Sequence, residues 1–192
     1  MSFESEWTGF YGSNPPISWK LREVDGLRWQ RFHSLPGSKR YAESDAEAAV
    51  ILARHNTLAE AVLGEGAECW LVQVIYASAN PLDDHSRYST LPSLTRTGLE
   101  VEPVYADAEL EDADAGWRVF AAPVAWRGGA FDALLASIAN DAEPPTLWMA
   151  RATGAAFAPY DGGVDLFLPT EEQKMLLRRR FAEWLSVHPA GL

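Results

Sequence analysis

The chain has 192 residues, 47% hydrophobic and 22% charged, with 14 glycines and 12 prolines. That is the make-up of a folded globular protein, not of a disordered, fibrous or disulfide-stapled one. Its formal charge of -11 excludes generic binding to nucleic acid or to an anionic membrane, both of which need a cationic surface.

A single cysteine, Cys69, cannot close an intramolecular disulfide, and no Cys/His spacing suits zinc or an iron-sulfur cluster. No metal and no cofactor are expected. The opening MSFESEWTGFYGS is acidic where a secretory signal needs Lys or Arg. No stretch approaches the ~20 apolar residues that span a bilayer, so a cytoplasmic protein is expected.

In chain order, residues 1-17 are rich in aromatics and end at Pro15-Pro16, which reads as an ordered arm. LRWQRFHS from Leu27 alternates with period 2 and predicts a strand. Pro36 and Gly37 then punctuate the chain before Ser44-Asp45-Ala46-Glu47, a capping box opening a helix to about Leu63. Its stripe is Ala48, Ile51, Leu52, His55, Leu58, Ala59 and Val62, which puts His55 on the buried side. Asn56, Thr57 and Glu60 leave open whether residues 44-63 form one helix or two. CWLVQVIYA is short, β-branched and nearly all apolar, as in a strand buried on both faces.

Residues 78-116 carry Pro81, Pro92, Pro103 and an acidic run, and read as a long excursion with one short strand near Val101 to Tyr105. A strand follows from Trp117 to Trp126, then a helix with Phe131, Leu134, Leu135 and Ile138 on its stripe, ending before Pro144-Pro145. Strand signals recur at Thr146 to Ala150 and Ala155 to Ala158. Asp161-Gly162-Gly163 then marks a hairpin through the tolerance of glycine for positive φ. Thr170-Glu171-Glu172-Gln173 opens a last helix that buries Leu177, Phe181, Trp184 and Leu185, its basic run Arg178 to Arg180 complementing the helix dipole. The expected fold is α+β: a single globular domain over 1-192, with a mostly antiparallel sheet, about three helices packed on it, and a hairpin plus helix at the end.

His33-Ser34-Leu35-Pro36-Gly37-Ser38-Lys39-Arg40-Tyr41, Arg54-His55-Asn56, PYDGGVD at Pro159 to Asp165 and the closing WLSVHPAGL together resemble a family of uncharacterised bacterial proteins. The motifs run over most of the chain. The resemblance implies a bacterial cytoplasmic protein and carries no catalytic residue over.

Candidate chemistry is sparse. Ser38, Lys39 and Arg40, with a helix start at Ser44, are the kinds of groups that hold a phosphate or carboxylate, although the loop is no Walker motif. The plainer reading is a surface loop whose bases pair with nearby acids. His33 and Asp161 are candidates for proton chemistry beside it; His33 and Ser34, adjacent on a strand, point to opposite faces and share no proton. Asp161 and Asp165 form a carboxylate pair whose simpler role is structural. Asp83-Asp84-His85 gathers metal-competent side chains, but contiguous ligands rarely converge on one ion. Among the eight tryptophans, Trp7 and Trp19 in the N-terminal region are the ones expected nearest the surface. Cys69 reads as inert packing.

Seven of the 27 acids, Glu100, Glu102, Asp107, Glu109, Glu111, Asp112 and Asp114, fall within fifteen residues that hold no base. This localised charge favours a protein-binding or immunity/inhibitor-type module with a basic protein partner. The alternative is a small enzyme or ligand-binding domain holding an anionic small molecule at SLPGSKRY. Oligomeric state is not readable from the sequence.

Overall fold

The computed structural model describes residues 1-77, 91, 93-101 and 116-186. Strand β1 is Arg28–His33, β2 Glu68–Ala77, β3 Thr95–Val101, β4 Gly116–Ala125, β5 Thr146–Ala150, β6 Ala156–Tyr160 and β7 Gly163–Leu168. They form one sheet in the order β1-β7-β6-β5-β2-β4-β3. Every neighbouring pair is antiparallel.

The described residues hold five α-helices rather than about three: α1 Phe3–Tyr11, α2 Ser18–Leu21, α3 Asp45–Leu63, α4 Asp132–Ala139 and α5 Glu171–Arg180. The two additional ones are α1, within the stretch 1-17 read from its prolines and aromatics as an arm, and α2, which follows directly after it. Ser2 caps α1 by accepting from Ser5 N, and Glu4 and Glu6 occupy its first turn, a start signal that an acidic, aromatic opening disguises.

The helices cover both faces of the sheet. Alternate residues explain why. Cys69 and Leu71 of β2 join a core with Leu58, Trp126, Leu135, Trp148, Phe157 and Leu166 beneath α3 and α4. Trp70, Val72 and Val74 join a second core with Phe3, Trp7, Tyr11, Ile17, Leu21 and Phe167 beneath α1 and α2. A strand buried on both sides has no polar face to show, hence the near-continuous apolar run of β2. Trp7, expected near the surface, is fully buried and stacks on Tyr11 at 4.2 Å.

Helix α3 is one uninterrupted helix capped by Ser44 and stopped at Gly64, whose φ is 93°. Its buried stripe starts at Ile51 and takes in His55, Leu58, Ala59 and Leu63, while Ala48 is exposed. Helix α5 buries Leu177 and ends at Arg180; Phe181, also buried, is already its C-cap, and Trp184 and Leu185 are half-buried in the 3-10 turn and bend that follow.

The strand expected near Val101 lies earlier, at Thr95–Val101, and 102-105 fall outside the described residues. Also outside them are Asp83, Asp84 and His85, the end of the WLSVHPAGL motif, and Glu102, Asp107, Glu109, Glu111, Asp112 and Asp114. The backbone of Glu100 pairs with Arg118 in β3 and β4. No described helix is long and apolar enough to cross a membrane.

Candidate functional site

Where β6 ends and β5 begins, the sheet opens into a cleft of about 240 Å³. Tyr160 and Asp161 come to it from the β6-β7 hairpin, Pro16 and Trp19 from the start of α2, and Asp141, Glu143, Pro144 and Pro145 from the link between α4 and β5. Three carboxylates therefore stand around aromatic and proline walls.

Each wall is held locally. Helix α4 stops with Ala142 N donating to Ser137 O and Asp141 N to Ile138 O, a Schellman-type ending in which Asp141 sits at φ 55°, where glycine is usual. A non-glycine residue kept there carries strain, and such strain collects at functional positions. Two residues on, Glu143 accepts from Ser137 Oγ at 2.8 Å and from the buried Gln73 Nε2 at 3.2 Å. Pro145 O accepts from Val74 N at 3.0 Å, which ties the proline wall to β2. Trp19 packs edge-on against Trp117, with centroids 5.6 Å apart.

The hairpin behind Asp161 forms as its spacing predicts, with Tyr160 opposite Gly163, but not through positive φ, which neither Gly162 nor Gly163 adopts. The glycines are needed for room. A Cβ on Gly163 would lie 2.3 Å from the Phe32 carbonyl oxygen and 2.9 Å from the Tyr160 hydroxyl.

Of the described residues proposed from sequence as ligand-binding, Asp161 lines the cleft, as does Trp19, singled out there as near the surface. Asp161 is buried, and its Oδ2 accepts from Arg40 Nε and, at 2.7 Å, from the Tyr41 hydroxyl. Arg40 and Asp161 are thus brought together from 121 positions apart. The others stand elsewhere. Lys39 donates to Glu47 at 2.7 Å and to Glu43 at 3.0 Å, and those bonds hold its ammonium above the usual lysine range. Ser44 caps α3 by accepting from Glu47 N. Ser38 sits at φ 59° in the turn before it. His33 faces Gly163 across β1 and β7, and burial, with Arg31 nearby, keeps its pKa below the ordinary histidine value.

Asp165 is no acid/base partner for Asp161. It is buried beneath a bidentate bond from Arg31, at 2.8 and 3.0 Å, and accepts from Trp29 Nε1 at 2.9 Å. A carboxylate so engaged is a structural anchor between β1 and β7. Cys69 is buried, and burial pushes its thiol up to about 11, as suits inert packing. Among the described residues, no group of three or more His, Cys, Asp or Glu is placed to hold a metal.

Sequence reasoning missed Tyr160, Asp141 and Glu143 as site residues and did not join Trp19, singled out as near the surface, to them. They lie on three separate segments, and the local signal was Pro144-Pro145, which read only as a helix end.

Residues 17–189 match the model of a family described as a domain of unknown function, DUF3885. The chain belongs to that family. Apart from Pro16, every residue named around the cleft lies within the DUF3885 stretch, whereas α1 precedes it. No curated protein and no solved structure matches the chain.

Proposed function

We propose that this DUF3885 chain is a recognition module for a basic protein partner, of the immunity or inhibitor kind, and that a cationic side chain of the partner enters the cleft. The observation that carries the reading is the placing of Asp141, Glu143 and Asp161 around one concavity walled by Trp19, Tyr160 and prolines. Carboxylates attract the charge, while aromatic and proline faces take the aliphatic or planar stem behind it. The charge of -11 speeds encounter with a basic partner and repels acidic ones. The acidic run from Glu100 to Asp114 adds to that field at the level of sequence.

A small anion held at SLPGSKRY has less to stand on, because Lys39 and Arg40 already face carboxylates. The test is calorimetric titration with a hexa-arginine peptide. Asp141→Asn with Glu143→Gln should weaken binding about tenfold, and raising salt from about 50 to about 200 mM should weaken it further. Equal affinity in the wild type and the double variant overturns the proposal.

A further inference from the structure

Resting on that reading of the cleft, we infer that the group it takes from a partner is an arginine guanidinium, delivered onto Asp161 in place of Arg40. Arg40, which does not itself line the cleft, is the chain's own guanidinium partner of Asp161.

The asymmetry of the pair supports exchange. The Asp161 side chain is 6% exposed and that of Arg40 is 63% exposed. A nearly buried carboxylate is costly to leave without a cation, whereas an exposed arginine loses little when it returns to water. Replacing one guanidinium by another keeps the buried charge compensated throughout. Tyr41 helps by donating to the same oxygen at 2.7 Å, so Asp161 keeps one hydrogen bond while Arg40 leaves.

The site also prefers the planar cation. Asp161 already accepts a guanidinium Nε-H, and Trp19 and Tyr160 line the same cleft. A guanidinium is weakly hydrated and stacks on aromatic faces, while a lysine ammonium is compact and strongly hydrated. Asp161 thus has two roles: it holds the Arg40 guanidinium in the free chain, and it receives the partner's arginine in the complex. Release of the Arg40 side chain, with Tyr41 staying on Asp161, accompanies binding.

The experiment compares hexa-arginine and hexa-lysine peptides against the full chain and two variants, Arg40→Ala and Lys39→Ala, with thermal melts to establish that each variant is folded. Arg40→Ala removes the competitor and should tighten hexa-arginine binding by about threefold to tenfold. The gain for hexa-lysine should be smaller, and Lys39→Ala, which frees no cleft carboxylate, should change neither. Wild-type binding that Arg40→Ala leaves equal or weaker overturns the exchange and leaves the cleft reading intact. Absence of binding by wild type and Arg40→Ala alike overturns both.

Discussion

Ser34 Oγ lies 2.8 Å from His55 Nε2, with both residues buried. The pair joins the end of β1 to the middle of α3 and stands beside Phe157, whose ring is 6.4 Å from the imidazole. It has the spacing of a nucleophile and base without their access. The second imidazole nitrogen, Nδ1, is buried and finds no hydrogen-bond partner among the described residues, so none of these orients the ring as the acid of a hydrolytic triad does. The pair is a core fastening whose histidine must stay neutral.

That requirement sets the acid stability. Burial lowers the His55 pKa from 6.5 to about 4. The unfolded chain therefore binds a proton more readily than the folded one. The contribution is whole above pH 6.5, falls as pH drops toward 4, and amounts to on the order of 3 kcal/mol over that window. His33, lowered in the same direction, adds to the slope. Below about pH 4.5 Glu6 joins them, since the Arg151 hydrogen bond holds its carboxyl under the usual value and that stability is lost on protonation. Urea melts from pH 7 to 4 should show this decline, and His55→Gln should flatten its upper part. An unchanged slope in His55→Gln contradicts the assignment.

Gly163→Ala should destabilise the fold by about 3 kcal/mol, because its new Cβ would meet the Phe32 carbonyl at 2.3 Å, a backbone atom that cannot swing aside. Gly162→Ala should cost far less. Its closest contact is the Tyr160 ring at 3.0 Å, and a side chain can give way. Denaturant midpoints of the two variants measure the contrast.

Glu6 ties α1 to the sheet. Arg151 donates to it at 2.7 and 3.0 Å and Trp70 Nε1 at 2.8 Å. Glu6→Ala leaves the indole N-H and the guanidinium without their shared acceptor, and should cost about 2 kcal/mol in chemical denaturation. Trp7→Ala, which empties the core under the same helix, should cost about 3-5 kcal/mol. Although α1 lies before the family match, it is part of the core, and trimming the chain to residue 17 should give an aggregating product on a sizing column.

Asp141 offers a case where stability and binding separate. Its φ of 55° suits glycine better, so Asp141→Gly should stabilise by about 0.5-1 kcal/mol. The same change removes a cleft carboxylate and should weaken hexa-arginine binding. A variant that gains stability and keeps full affinity takes Asp141 out of the site.

Much of the fold is written locally. Ser44, Gly64 and Thr170 mark helix ends through their own backbone demands, and all three act as caps. The alternation of β1 and the apolar run of β2 follow from one-sided and two-sided burial. The helices α1, within the arm, and α2, just after it, were missed because they gain their stability from burying Trp7, Tyr11, Ile17 and Leu21 against a distant sheet, which local propensity does not express. The site was harder still. Arg40 and Asp161 were each visible as chemistry, but Asp141, Glu143 and Trp19 acquire meaning only when the α4-β5 link and the α2 segment meet the hairpin.

Entry of a cationic group into this cleft is tested most directly by a proton-nitrogen NMR titration of the full chain with hexa-arginine, following the Trp19 indole N-H assigned by Trp19→Phe. The Trp19 indole and the backbone amides of Asp141, Glu143 and Asp161 should shift together along one saturating curve, and hexa-glutamate should move none of them. Shifts confined to surfaces away from Trp19, or none at saturating peptide, would contradict it.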